Sequence, residues 1–317
     1  MLESTANPTE ATTPLDFSRL ASDVQPTVRP RWVDYYELTK PRMNALVIIT
    51  TMVGFYMASF GGVDWLAMFN ALLGTALCAA GASALNHYIE RDYDALMPRT
   101  RNRPLPTGRL QPAEALWFGV ALSILGGAYL LAFVNPLTSF LGVFTILSYV
   151  FIYTPMKRTS TLNTVVGAVP GAVPPMMGWT AVTNDVSLEA VALFGILFLW
   201  QMPHFLAIAI MYKSDYEAGG YKMLPSEDPK LSLTSRMIIL YTVALIAVSV
   251  LPAAMNPALF GPLYAVAAVV LGFVFLWFGV VCAVQKTRPA AKQLFFASII
   301  YLPLVLGAMM FDKLINA

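Results

Sequence analysis

The chain has 317 residues; 57% are hydrophobic and only 12% are charged, about half the charged share of an ordinary soluble domain. A net charge of +2 excludes a nucleic-acid surface built on bulk charge, and so few ionised side chains cannot clothe a water-facing exterior. With two cysteines far apart and two histidines, a disulfide scaffold, a CxxC metal site and a multi-histidine zinc site are excluded as well.

Residues 1–33 are rich in Ser, Thr, Pro and acids and contain no apolar core. They read as a disordered cytoplasmic tail, neither a secretory signal nor an acid-poor transit peptide. The rest, 34–317, reads as one membrane-embedded domain. Its apolar runs are long enough for spanning helices at about 43–60, 65–88, 113–133, 137–153, 163–182, 188–211, 236–254, 262–284 and 293–311. The expected fold is therefore all-α and polytopic, with nine transmembrane helices around a central cavity open to the cytoplasmic side. The fifth run carries Pro170, Pro174 and Pro175, so it spans only if neighbouring helices satisfy its freed backbone groups. With the amino terminus inside, every basic residue except Lys313 falls on an inner segment. That is the positive-inside pattern of a bacterial inner membrane protein with its carboxyl terminus in the periplasm.

The second run continues into Asn86-His-Tyr-Ile-Glu90-Arg-Asp92-Tyr-Asp94. Asn86, Glu90 and Asp94 recur every four residues, so each lies about 6 Å further along the helix and only about 40° around it. Two carboxylates on one face repel unless a cation lies between them. Oxygen ligands of this kind suit Mg²⁺, which takes one or two carboxylates together with substrate phosphates. Residues 99–109 follow as Arg-Thr-Arg-Asn-Arg-Pro-Leu-Pro-Thr-Gly-Arg. Arginines directly after an acidic stripe favour a metal-bearing anion such as a diphosphate, although they also serve as an inner anchor. Lys157 and, more weakly, Lys40 stand at the same boundary.

The sixth run holds His204 in Trp200-Gln-Met-Pro-His204 and leads to Lys213-Ser-Asp215-Tyr216. His204, Ile208, Met211 and Asp215 fall at helical spacing, so they share a face if the helix continues past Pro203, with His204 about 16 Å along the axis from Asp215. An ionisable group at the depth of His204 faces a cavity or a partner, or is a structural hydrogen-bonding histidine.

Asn86-x-x-x-Glu90-x-x-x-Asp94 followed by the arginine-rich stretch resembles the first acidic motif of the UbiA-type intramembrane prenyltransferases. Leu38-Thr-Lys-Pro-Arg42, Tyr153-Thr-Pro-Met-Lys-Arg158, Gly171-Ala-Val-Pro-Pro-Met-Met-Gly-Trp179, Trp200-Gln-Met-Pro-His-Phe205 and Lys213-Ser-Asp-Tyr216 are similar to its heme-modifying branch. The chain departs from the family pattern at Met211, where many members carry the first acid of a second Asp-x-x-x-Asp.

The resemblance implies a catalyst that joins farnesyl diphosphate to a vinyl group of protoheme IX. Asn86, Glu90, Asp94 and Asp215 would hold Mg²⁺ as the catalytic set. Lys40, Arg101, Arg103 and Lys157 would grip the diphosphate. His204, and secondarily His87, would contact heme. Partners implied are the two substrates, membrane lipid and a downstream heme-modifying enzyme, with no nucleic acid. Two other readings stand beside it: a prenyltransferase with another aromatic acceptor, and a transporter with polar sites at broken helices.

Overall fold

The computed structural model describes residues 30–316; the tail assigned to 1–33 lies almost wholly outside them. Among the described residues every regular element is helical. They are α1 (Arg31–Leu38), α2 (Pro41–Ala58), α3 (Trp65–Asp94), α4 (Pro112–Phe133), α5 (Pro136–Leu147), α6 (Thr154–Met156), α7 (Asn163–Thr183), α8 (Leu188–Met211), α9 (Lys213–Ala218), α10 (Leu224–Glu227), α11 (Ser232–Met255), α12 (Pro262–Gln285) and α13 (Arg288–Asn316).

Among the described residues eight segments are long and apolar enough to cross a membrane: α3, α4, α5 through α6, α7, α8, α11, α12 and α13. The first expected span, α2, has only 18 residues and begins Pro-Arg-Met-Asn, which dilutes its hydropathy. The protein is a multi-pass membrane protein. Its exterior shows the inversion that lipid demands: Phe69, Trp117, Ile124, Phe140, Phe151, Phe273 and Trp277 all face outward, where hydrocarbon rather than water receives them.

Helix starts follow ordinary capping chemistry. Asp64 accepts from the amides of Leu66 and Ala67 at the head of α3. Gln111 and Glu114 form a reciprocal box at the head of α4. Between α5 and α6 the helix widens into a π-turn over Ser148–Tyr153. Pro155 accounts for it, because it donates no amide and its ring crowds the carbonyl one turn back. The wider turn lets Thr154 Oγ1 donate to Tyr149 O at 2.8 Å.

The proline-bearing α7 is a single helix wedged between α2 and α8. Small residues make this possible. A Cβ on Gly54 would lie 1.9 Å from Pro175 O, and one on Gly178 would lie 1.9 Å from Thr51 O, so α2 and α7 touch backbone to backbone. Gly171 leaves the space occupied by the Gln201 carboxamide of α8. A large apolar cluster joins α2, α7, α8, α11, α12 and α13 through Val53, Trp179, Leu193, Trp200, Leu245, Phe275 and Leu302. A smaller one joins α3, α4, α5 and α7 around Cys78, Leu130 and Met177. Both cysteines are free and buried.

Lys313, the basic residue left on the opposite side by the charge pattern, has a local purpose. Its ammonium donates to the carbonyls of Tyr56, Met57 and Ser59, the unsatisfied end of α2. It ties α13 to α2.

Candidate active site

The acidic stripe lies on the last turns of α3. Asn86, Glu90 and Asp94 are all buried, at 0%, 5% and 1% exposure. Each is matched to its own cation from a different segment. Lys40, just before α2, donates to Asn86 Oδ1. Lys157, just after α6, donates to Glu90 Oε1 at 2.6 Å. Arg103, on the loop after α3, donates to Asp94 Oδ2 at 2.7 Å. Asn86 also donates to Thr154 Oγ1 at 3.0 Å, which holds the amide oxygen toward Lys40 and anchors α3 on the π-turn.

Three segments are thus drawn together by one helix face. Lys40 reaches it from a left-handed backbone conformation (φ 48°), uncommon for a residue with a side chain and of the kind that gathers at functional sites. Burial, aided by the Arg103 charge, pushes the Lys40 ammonium down to about 7. For Lys157 burial works in the same direction, but the Glu90 carboxylate outweighs it and holds the ammonium well above its ordinary value.

The loop after α8 closes over this end. Helix α8 passes through Pro203 unbroken, ends at Met211 and turns at Tyr212 before α9. The continuous helix expected from His204 to Asp215 is therefore two helices, with a turn at Tyr212 between them. Past α9, Lys222 N donates to Lys157 O at 2.7 Å and Asn163 Nδ2 donates to Lys222 O at 2.8 Å. Tyr221 lies edge-on to Tyr93 and Tyr216, and Arg99 stacks over Tyr212 and Tyr216. Met97, Ala209, Tyr221 and Met223 form the apolar floor. The two inner loops are one cap.

Several buried atoms under that cap have no hydrogen-bond partner: Asp94 Oδ1, Tyr221 OH and both ring nitrogens of His87. Burial pushes the Tyr221 hydroxyl well above its ordinary value. Unpaired buried polar atoms cost about 1–3 kcal/mol each, so their concentration beside the stripe marks a place where something else completes the bonding. Asp94 Oδ1 is a carboxylate oxygen of the type Mg²⁺ takes, and the oxygen donor set of Asn86, Glu90 and Asp94 fits that ion.

The other sequence candidates fall differently. Arg101 is exposed on its loop. Asp215 is half-buried on α9, and among the described residues no group of three or more His, Cys, Asp or Glu gathers closely enough to hold a metal ion by itself. His87, one residue past Asn86, is buried at 2%. Counting around the helix it stands only about 20° from Asp94. His204 is half-buried, with Nδ1 2.7 Å from Ser298 Oγ. Arg158 stacks over Tyr93. Thr154, Tyr221 and Ser298 went unremarked in the sequence; only the proline beside Thr154 hints at it.

The profile of the UbiA prenyltransferase family matches residues 47–300. The chain is 45% identical over 289 residues to protoheme IX farnesyltransferase of Solibacter usitatus, covering 88% of this chain and 98% of that one. It is 44% identical to the Myxococcus xanthus protein of the same name, covering 88% and 94%. Among solved structures, one from work on digeranylgeranylglyceryl phosphate synthase in membranes superposes with a TM-score of 0.74 at 18% identity, covering 89% of this chain and 98% of that one. A UbiA homolog from Archaeoglobus fulgidus bound to GPP and Mg²⁺ gives 0.60 at 14%, covering 87% and 99%. At these identities the structures bear on the fold alone.

Proposed function

Because the chain belongs to the UbiA prenyltransferase family, we propose that it transfers a farnesyl group from farnesyl diphosphate to a vinyl group of protoheme IX, giving heme O and diphosphate. The observation that carries this reading is the one-to-one pairing of Lys40, Lys157 and Arg103 with Asn86, Glu90 and Asp94 under a closed cap.

Asn86, Glu90, Asp94 and Asp215 would hold Mg²⁺. The ion supplies charge neutralisation for the diphosphate leaving group. Lys40, Lys157 and Arg103 turn from the stripe to the diphosphate oxygens, where charge-assisted hydrogen bonds strengthen as negative charge develops. Arg101 reaches the anion from its exposed position on the loop. The C–O bond breaks with its electron pair on the diphosphate. The farnesyl cation adds to the vinyl group. Water adds to the resulting cation beside the porphyrin ring and loses a proton, which balances the hydroxyl in the product. Tyr221 and Met97 in the cap, with Tyr93 of α3, exclude bulk water that would quench the first cation. His204 contacts the heme.

The basic end faces the cytoplasm of a bacterial inner membrane, as the positive-inside pattern indicates. The amino-terminal tail lies on that side and the carboxyl terminus in the periplasm. Membrane lipid brings both apolar substrates to the protein, and the product passes to a downstream heme-modifying enzyme. The test is purified protein with farnesyl diphosphate, protoheme IX and Mg²⁺, read by mass spectrometry. Heme O formed only with all three present supports the reading, and Mg²⁺-independent product or none at all refutes it.

A further inference from the structure

His204 can be oriented from its neighbours on α8. Trp200 Nε1 donates to Ser298 O on α13 at 2.8 Å, and Gln201 Nε2 donates to Ala168 O on α7 at 3.4 Å. Around the helix, His204 stands about 40° from Trp200 and about 60° from Gln201, between the two. Its side chain therefore enters the wedge between α7 and α13. Helix α2 packs against α7 and meets α13 where Lys313 holds the carbonyls of Tyr56, Met57 and Ser59, at the other end of the bundle from His204. Seven residues separate His204 from the end of α8 at Met211, or about 10 Å. Asn86 stands about 12 Å from the end of α3 at Asp94 by the same measure.

The ring is held on three sides. It stacks on Trp200 (4.9 Å, 22°) and on Phe295 (5.0 Å, 29°). Its Nδ1 meets Ser298 Oγ at 2.7 Å. Ser298 Oγ also lies 2.6 Å from Phe295 O, to which it donates. A serine hydroxyl has one hydrogen. With that hydrogen given to Phe295 O, the proton in the His204–Ser298 bond comes from Nδ1. The neutral imidazole is then the Nδ1–H tautomer, and Nε2 carries a lone pair. Unlike the two ring nitrogens of His87, Nε2 is not buried away from any partner, so its lone pair is open to a ligand.

From this geometry we infer that His204 Nε2 is an axial ligand to the iron of the acceptor porphyrin, and that Ser298 is the positioning residue that fixes its tautomer and ring plane. The inference rests on the heme reading above and narrows it. A propionate needs a donor, and Nε2 of this tautomer offers a lone pair instead. An iron ligand needs that lone pair on one nitrogen, while a hydrogen bond from the N–H of the other fixes the ring, as Ser298 does here.

The experiment titrates the purified full-length protein in nanodiscs with ferric protoheme IX and, separately, with iron-free protoporphyrin IX, without diphosphate substrate. Wild type should show a histidine-ligated heme spectrum. His204→Ala should lose that spectrum and regain it on addition of imidazole, while its affinity for iron-free porphyrin stays within about twofold of wild type. Ser298→Ala should keep the ligand but bind ferric heme about tenfold more weakly. His204→Met, which fills the site, should give a methionine-ligated spectrum and decides the matter should the alanine variant fail to fold. The inference is overturned if His204→Ala and His204→Met keep the wild-type spectrum, or if iron-free porphyrin binding falls as far as heme binding. Heme O formation by wild type is assayed alongside: product formed without a histidine-ligated spectrum removes the inference and leaves the proposed function standing, whereas absence of product removes the function itself.

Discussion

Asp94→Asn separates charge from shape at the tip of the acidic stripe. The native carboxylate is 1% exposed; Oδ2 accepts from Arg103 at 2.7 Å, and Oδ1 has no donor. Asparagine keeps the volume and one acceptor oxygen and removes the charge. Stability should suffer little. The Arg103 side chain is 23% exposed, so water replaces part of the lost attraction and the cost is about 1–2 kcal/mol, below the roughly 3–5 kcal/mol of a fully buried pair. Turnover should suffer more. One preorganised electrostatic group at a developing anion is worth about 2.7–4 kcal/mol, or about a hundredfold to a thousandfold in kcat. The assay is heme O formation at saturating Mg²⁺, with thermal unfolding in detergent as the control. We expect kcat to fall by about a hundredfold or more, with partial recovery in Asp94→Glu. An asparagine variant within tenfold of wild type would refute the assignment of this carboxylate to the Mg²⁺ that neutralises the leaving group.

Lys157→Met leaves Glu90 buried without its partner; both side chains are at most 13% exposed. The loss should be about 3–5 kcal/mol, and the double variant with Glu90→Leu should recover much of the stability but none of the activity. Gly178→Ala drives a Cβ to within 1.9 Å of Thr51 O, so α2 and α7 must separate. Overpacking of this kind costs about 1–3 kcal/mol and outweighs the helix propensity gained, so a lowered unfolding temperature is expected and a raised one would contradict the close crossing. Lys313→Met removes the ammonium that three carbonyls of α2 share. A loss of about 2–4 kcal/mol with turnover preserved at low temperature would separate this tie from the chemistry at the other end.

The spans were legible because lipid imposes one requirement on every turn, and their ends agree with the structure to within a few residues at most boundaries. The acidic stripe was legible for a similar reason: a four-residue recurrence on a helix fixes a shared face whatever the tertiary contacts. What the sequence withheld is pairing across segments. Nothing in the spacing assigns Lys157 to Glu90 or Lys40 to Asn86, since those partners meet only when the π-turn and the left-handed Lys40 deliver them. The break at Tyr212 was equally hidden. A helix-period pattern through Met211 and Asp215 persists in the sequence, yet tertiary contacts of Tyr216 and Lys222 fold the chain back over the stripe. Lys313 stood out in the charge count, but only its contacts give the reason.

The pairing also explains how a chain can keep such a site intact before substrate arrives. Two carboxylates buried together at a membrane boundary would repel each other and resist burial. Here each faces a cation, and Asn86 presents its oxygen to a third. The cations come from three separate segments, so the stripe helps to organise the site as well as filling it: Glu90 adds a tie to the segment after α6 and Asp94 adds one to the arginine loop. A diphosphate entering this arrangement meets donors already aimed at anionic oxygens, so little rearrangement is required of the backbone. That is the preorganisation on which electrostatic catalysis depends. It follows that substituting a cation should harm substrate affinity and stability together, whereas substituting the unpaired atoms, Tyr221 OH above all, should harm only what binds. Tyr221→Phe, which removes one buried unpartnered hydroxyl, should therefore leave the protein as stable as wild type or more so while weakening farnesyl diphosphate binding, and a variant that is destabilised with unchanged affinity would show that the hydroxyl belongs to the fold.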